Sequence, residues 1–216
     1  AAAAAAALIV ALVGMPGSPA WGERIKLNDG TELSASVVDR DAESLVVRVP
    51  RAAIATVDDR PLPPPVEVGA VAPAFTATDL TGVARSVGQA QGQATLLQFW
   101  ASWCPYCRKD VELMKMLLTR YGDRGLRIVT VSIDEDLNKL KAFVAEHALP
   151  YSVISVSALP DLPAKYEARG VPGYYLIDGQ GVIAGVWRGS VTQGLPEGTP
   201  TELEERLEVL MPQKGA

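Results

Sequence analysis

The two cysteines of this chain are Cys104 and Cys107, separated only by Pro105 and Tyr106. Two thiols at this spacing can close into a disulfide while they occupy the first turn of a helix. A structural disulfide framework needs more pairs spread further apart, and a structural zinc site needs about four ligands. The chain offers no such ligand set, because it contains one histidine. The sequence therefore predicts a redox-active pair that uses neither a metal nor another cofactor.

Composition and charge describe a globular, mildly acidic protein. Of the 216 residues, 48% are hydrophobic and 21% are charged, and the formal net charge is -5. This balance disfavours nucleic acid and anionic membrane surfaces as partners, because both attract basic proteins. The length accommodates one domain of ordinary size and a smaller unit.

The first 20 residues have the pattern of an export signal. An apolar run over residues 1–13 is followed by Gly and Pro, and then by the small residues Ser18 and Ala20. The run is shorter than the roughly 20 residues that a membrane-spanning helix needs. We expect residues 1–20 to be a signal peptide or a truncated membrane anchor, and the protein to be exported.

Residues 21–60 predict a small all-β module of the SH3-like or Sm-like kind. Apolar and polar residues alternate around residues 33–37 and 45–49, and Asn28-Asp29-Gly30 is a turn signal. Acidic residues outnumber basic ones in this segment, which disfavours RNA binding and leaves a docking or dimerisation role. The proline-rich residues 61–65 predict an extended linker to the next domain.

Strand and helix patterns alternate over residues 66–216, which predicts an α/β domain with helices on both faces of a sheet. Residues 94–101 are typical of a buried central strand, and residues 104–121 predict a single helix with one apolar face. A last helix is expected to start with Thr199 as N-cap. Further strands are expected at 126–133, 151–156, 174–177 and 182–187, and further helices at 137–147 and 162–168.

Three motifs follow one another in this domain: VGAVAPAF at 68–75, FWASWCPYC at 99–107 and GVP at 170–172. They resemble, in this order, the first segment, the active-site stretch and the cis-proline loop of the TlpA/ResA-like exported branch of the thioredoxin superfamily. The resemblance covers residues 66–212 and implies a thioredoxin-like fold with a cis bond before Pro172. Gln98 departs from cytosolic thioredoxins, which carry a buried Asp in this strand.

The position of each cysteine predicts its role. Cys104 lies at a helix N-terminus, where backbone N–H groups and the helix dipole favour the thiolate, so we assign it as the nucleophile. Trp103 immediately before it predicts a partly exposed sulfur. Cys107, one turn deeper, is expected to resolve the mixed disulfide.

Asp110 is three residues after Cys107 and shares its helix face. In the TlpA/ResA-like family an acid at this position, usually Glu, takes part in proton exchange with the cysteines, so the resemblance implies this role for Asp110. A surface acid is the alternative. The expected substrate-binding residues are Trp103, Pro105, Tyr106, Val171 and Pro172.

Three neighbouring residues have open interpretations. Arg108 lies four residues after Cys104, so it either faces that thiol or is a solvated helix charge. Trp100 either lines the substrate surface or belongs to the core. His147, at the end of a predicted helix, is interpreted as structural.

The expected activity is thiol-disulfide exchange with protein substrates. The resemblance favours a reductant in the periplasm or on the outer face of the cytoplasmic membrane, for example in cytochrome c maturation or copper-site cysteine reduction. It implies disulfide-bearing substrate proteins and an upstream membrane dithiol donor as partners. A copper-site assembly factor and a thiol peroxidase are the alternatives. Copper-assembly relatives use CxxxC with a distal His, and peroxidases usually have a Thr shortly before the reactive Cys.

Overall fold

The computed structural model describes residues 23–26, 32–40, 45–48, 56–57, 60–61, 66–196 and 199–212. The chain divides into two compact units, Ala1–Pro63 and Pro64–Ala216, and each is described by itself. The predicted leader at 1–20 lies outside the described residues. No helix in the described part of the chain is long and apolar enough to cross a membrane.

The described residues of the first unit form five strands. Strands β1 (Glu23–Lys26), β2 (Glu32–Arg40) and β3 (Leu45–Arg48) form an antiparallel sheet in this order, and β4 (Thr56–Val57) pairs with β5 (Arg60–Pro61). The last strand reaches the first proline of the segment that was expected to be an extended linker. The comparison of this unit with an SH3-like or Sm-like module stays a prediction.

The described strands of the second unit are β6 (Phe75–Thr78), β7 (Ala84–Val87), β8 (Ala94–Trp100), β9 (Leu126–Ser132), β10 (Ser152–Ser155), β11 (Gly173–Ile177) and β12 (Ile183–Arg188). Five of them form a mixed sheet with the order β10-β9-β8-β11-β12. Strands β8, β9 and β10 are parallel, whereas β11 runs antiparallel to β8 and β12. The predicted central strand and the antiparallel hairpin of β11 and β12 are confirmed.

Helices cover both faces of this sheet, as expected for an α/β domain. The helices are α1 (Pro105–Lys109), α2 (Val111–Tyr121), α3 (Leu137–Glu146), α4 (Leu162–Lys165) and α5 (Glu202–Leu210). On one face, α2 and α5 pack against Leu96, Ile128 and Leu176. On the other face, α4 and the β6–β7 hairpin pack against the side chains of Leu97 and Phe99. Successive side chains of β8 point to opposite faces of the sheet. Because both faces are covered, β8 is buried along its whole length.

Two helix predictions are corrected. The single helix expected over 104–121 is divided at Asp110, where ψ is -4° instead of the roughly -42° of an α-helix. The break occurs where the Asp110 carboxyl bonds to groups outside the helix.

The N-cap of α5 is Thr201 and not Thr199. Thr201 Oγ1 accepts a bond from the Glu204 N–H, and the Glu204 carboxylate accepts one from the Thr201 N–H, which is the reciprocal capping box.

The β6–β7 hairpin was not predicted from the sequence. Its turn is organised by Asp79, whose carboxylate accepts bonds from the backbone N–H groups of Thr81 and Val83 and from the Arg85 side chain. Burial opposes ionisation of Asp79. Nevertheless, the bonds from Thr81, Arg85 and Val83 hold its pKa well below the usual range of an aspartate. A single carboxylate therefore supplies the partners that this turn needs.

Candidate active site

The dithiol lies where β8 leads into α1. Cys104 is the N-cap of α1, and its Sγ accepts a bond from the backbone N–H of Cys107 over 3.3 Å. Pro105 occupies the first helical turn, where the missing N–H of a proline costs nothing. Both cysteines are free thiols, so the structure shows the dithiol state. The predicted position of the pair at a helix start is confirmed.

Cys104 is more buried than the sequence suggested. The residue is 3% exposed, whereas Trp103 beside it is 62% exposed. The Cys104 thiol points at the proline loop and donates to the carbonyl oxygen of Val171 over 3.8 Å. The expectation of a partly exposed sulfur is therefore wrong, because a loop 67 residues away in sequence covers the thiol.

Cys107 lies in the interior, at 1% exposure. Burial raises the pKa of the Cys107 thiol, and the interactions with Cys104 and with the Asp110 carboxylate raise it further. This thiol therefore stays protonated at neutral pH unless a nearby group accepts its proton.

The proline loop places backbone acceptors beside the dithiol. The Val171–Pro172 bond is cis, as the resemblance implied. The Val171 carbonyl faces Cys104, while the Pro172 carbonyl accepts a bond from the Gly189 N–H over 2.8 Å. Trp103 and Tyr106, which flank Cys104 in the sequence, expose large aromatic surface.

Asp110 is fully buried, which excludes the surface-acid alternative. Its Oδ2 accepts a bond from the Tyr174 hydroxyl over 2.6 Å, and its Oδ1 accepts bonds from Ser190 and Thr192. Gln98 donates its side-chain N–H to the Tyr174 oxygen over 3.0 Å. The three hydroxyl residues Tyr174, Ser190 and Thr192 were not predicted from the sequence. Strand alternation in β11 could have placed Tyr174 on the Gln98 face, but no local signal marks Ser190 or Thr192.

A second buried carboxylate supports the turn before Cys104. Asp134 follows β9 and accepts bonds from the backbone N–H and the hydroxyl of Ser102, and from the hydroxyl of Ser132. Parallel strands place the ends of β8 and β9 side by side, so this acid reaches the active-site turn. This supporting residue was also not predicted.

The three residues with open interpretations belong to a packing cluster on Phe143. Trp100 is buried and lies 5.5 Å from the Phe143 ring, which assigns it to the core. The His147 ring stacks on Phe143 at 4.1 Å, and the Arg108 guanidinium lies 5.2 Å from the same ring. Arg108 is thus engaged with an aromatic ring on α3.

Comparison with known proteins agrees with this architecture. Residues 68–186, more than half of the chain, match the AhpC/TSA family. The thiol-disulfide oxidoreductase ResA of Bacillus thuringiensis subsp. konkukian (strain 97-27) is 29% identical over 147 residues, which cover 68% of this chain and 80% of ResA. The thioredoxin-like protein YneN of Bacillus subtilis (strain 168) is 29% identical over 147 residues, covering 67% of this chain and 81% of YneN.

Solved structures show the same fold. A Chlorobium tepidum protein assigned as the thiol:disulfide interchange protein DsbE superposes with a TM-score of 0.59 at 25% identity, covering 67% of this chain and 98% of that one. A thiol:disulfide interchange protein from Bacteroides sp. gives a TM-score of 0.52 at 28% identity, covering 62% and 95%. The chain therefore belongs to the AhpC/TSA family and is a TlpA/ResA-like thiol-disulfide oxidoreductase of the thioredoxin superfamily.

Proposed function

We propose that the protein reduces disulfides of protein substrates through Cys104 and Cys107. The observation that carries this proposal is the pairing of one thiol, which contacts the backbone carbonyl of Val171, with a second thiol one helical turn away. Cys104, as thiolate, attacks a substrate disulfide and expels one substrate thiolate, which leaves a mixed disulfide. Cys107 then loses its proton, attacks the Cys104 sulfur and releases the second substrate thiolate. The substrate gains two electrons, and the protein keeps a Cys104–Cys107 disulfide.

Asp110 is proposed as the group that exchanges a proton with Cys107. Its carboxylate is buried and interacts electrostatically with the Cys107 thiol, and this interaction raises the pKa of that thiol, after burial and the bond to Cys104. A base that accepts the proton as Cys107 attacks lowers the barrier of the resolving step. When the protein is reduced again, the same carboxyl returns the proton.

The substrate surface is proposed to comprise Trp103, Pro105, Tyr106, Val171 and Pro172. Trp103 and Tyr106 offer exposed aromatic rings, at 62% and 44% exposure, before Cys104 and between the two cysteines in the sequence. Backbone groups of the proline loop suit an extended peptide segment, since main-chain hydrogen bonds do not depend on the substrate sequence. This arrangement favours a protein as the substrate over a small disulfide molecule.

The proposed setting is the cell envelope, in the periplasm or on the outer face of the cytoplasmic membrane. The apolar N-terminal run supports export, with residues 1–20 as leader or anchor, 21–60 as the β module and 61–65 as linker to the oxidoreductase domain. We propose reduction of disulfides in apocytochrome c or of copper-site cysteines as the task. An upstream membrane dithiol donor would then regenerate the reduced form.

Trapping with Cys107→Ser tests this function. The variant retains Cys104 but cannot resolve, so it should accumulate mixed disulfides with its substrates in the exported fraction. The matched control Cys104→Ser keeps the buried thiol and should trap no partners. Equal trapping by both variants, or recovery of no partner by Cys107→Ser, would contradict the assigned roles.

The direction of transfer is tested separately by equilibration with glutathione. A reductant should have a potential more negative than the roughly -180 mV of protein disulfide isomerase. A value near the roughly -120 mV of DsbA would overturn the reductant assignment and would indicate that the protein oxidises thiols of its substrates.

A further inference from the structure

Asp110 is held by three hydroxyl groups from outside its own helix. Tyr174 comes from β11, and Ser190 and Thr192 come from the segment after β12. The same segment also holds the proline loop, because the Gly189 N–H donates to the Pro172 carbonyl. The acid and the proline loop therefore share one scaffold.

The Tyr174 hydroxyl has a defined direction. Its oxygen accepts the Gln98 side-chain N–H over 3.0 Å, so its single proton is directed to Asp110 Oδ2, 2.6 Å away. Tyr174 remains a neutral donor, because burial and the negative charge of Asp110 raise the pKa of its hydroxyl. Gln98, which replaces the buried acid of cytosolic thioredoxins, here orients a tyrosine.

The acceptor positions of the carboxylate are unequally used. A carboxylate offers about four acceptor positions, two on each oxygen. Of the donors in the described part of the chain, Ser190 and Thr192 bond to Oδ1, whereas Tyr174 alone bonds to Oδ2. Oδ2 therefore has one open position, at which a proton can bind.

The charge of Asp110 is not neutralised by a cation. Among the described residues, no ion pair includes Asp110. Among the described residues, Cys107 from α1 and Tyr174 from β11 are titratable groups that interact with it, and Ser190, Thr192 and Gln98 are neutral. Hydroxyl donors stabilise the ionised form without cancelling its field at the dithiol.

We propose that Tyr174 is a positioning residue for dithiol exchange: oriented by Gln98, it keeps Asp110 ionised and leaves Oδ2 as the single oxygen that exchanges a proton with Cys107. This inference rests on the proposed role of Asp110. When Oδ2 takes the proton, the Tyr174 bond weakens, because a protonated oxygen is a poorer acceptor. Tyr174 thus opposes protonation of Asp110 in the resting dithiol and favours return of the proton to the cysteine pair.

The test is Tyr174→Phe, with Tyr175→Phe as the matched control. Both tyrosines are fully buried on β11, but the Tyr175 hydroxyl donates to the backbone carbonyl of Tyr166 on the opposite face. The measurement is the rate at which Cys107 resolves a Cys104–thionitrobenzoate mixed disulfide, followed by dye release from pH 4 to pH 9. This single step depends on Asp110 without requiring a natural substrate.

Tyr174→Phe should move the acidic limb of the rate profile upward by about one pH unit, a roughly tenfold change in proton binding by Asp110. Tyr175→Phe should leave the limb where it is in the wild type. In an Asp110→Asn background, Tyr174→Phe should add nothing. If Tyr174→Phe does not fold, Ser190→Ala and Thr192→Val carry the test, and each should shift the limb in the same direction.

Two results would overturn the inference in different ways. If Asp110→Asn removes the acidic limb but Tyr174→Phe, Ser190→Ala and Thr192→Val leave it unmoved, Asp110 acts without its hydroxyl donors. If Asp110→Asn itself leaves the limb unchanged, the proposed role of Asp110 fails, and the role of Tyr174 fails with it.

Discussion

Asp79 and Asp110 are both buried carboxylates, but different kinds of group bind them. Asp79 binds the Arg85 guanidinium and the backbone N–H groups of its own turn, all within six residues. Asp110 binds three hydroxyls that are 64 to 82 residues away and has no cationic partner among the described residues. The comparison shows that a structural acid is compensated locally by a cation, whereas the acid at the dithiol keeps a charge that acts on Cys107.

The largest expected difference between the two acids is kinetic. Asp110→Asn should slow resolution of the mixed disulfide by about 100-fold at pH 7, the usual contribution of a positioned acid or base. Asp79→Asn should leave this rate within about twofold of the wild type, because its carboxylate lies in the turn of the β6–β7 hairpin and has no bond to the dithiol. Stopped-flow measurement of dye release checks both. A similar slowing in both variants would show that loss of rate reflects general destabilisation.

The next difference concerns stability. Asp79→Ala should lower the free energy of unfolding by about 2 kcal/mol, because it removes the acceptor of the hydrogen bonds that Thr81, Val83 and Arg85 donate in the hairpin turn. Arg85→Ala should cost less, about 1 kcal/mol or below, since the arginine side chain is 37% exposed and solvent screens the pair. Urea unfolding followed by circular dichroism compares the variants. An unfolding midpoint of Asp79→Ala equal to that of the wild type would contradict the role given to this turn.

The smallest expected effect is the pH dependence that Asp79 confers. Its pKa is lowered in the folded protein, so the unfolded chain binds the proton more readily. The stabilisation is fully present above the unfolded pKa of about 3.9 and is lost as pH falls through the folded value. The difference in unfolding midpoint between wild type and Asp79→Asn should therefore be constant from pH 5 to pH 7 and shrink below about pH 4. A difference that grows in acid would reverse the assigned sign.

Residues close together in the chain were predicted well. Cys104, Pro105 and Cys107 lie within one helical turn, and the apolar run before them is a buried strand, so their placement at a strand-to-helix junction follows from local rules. Two strand-like segments joined by the turn that begins at Asp178 likewise predicted the hairpin of β11 and β12. These features depend on short-range geometry, which a sequence pattern expresses directly.

Residues that are distant in the chain were predicted poorly. Burial of Cys104 depends on Val171, and the surroundings of Asp110 depend on Tyr174, Ser190 and Thr192. Asp134 reaches Ser102 only because β8 and β9 are parallel neighbours. A hydroxyl residue in a loop carries no periodicity that would mark it as a partner of a buried acid.

The sequence by itself determined which chemistry is proposed: two cysteines at this spacing, at the start of a helix and with a Val-Pro loop downstream, predict dithiol exchange. The tertiary structure decided which groups surround the two cysteines. It buried both thiols, enclosed Asp110 among hydroxyls and left one of its oxygens open to a proton. The reason is physical, because covalent spacing fixes which atoms can react, whereas burial and charge at a site are set by strands and loops that meet only when the chain folds.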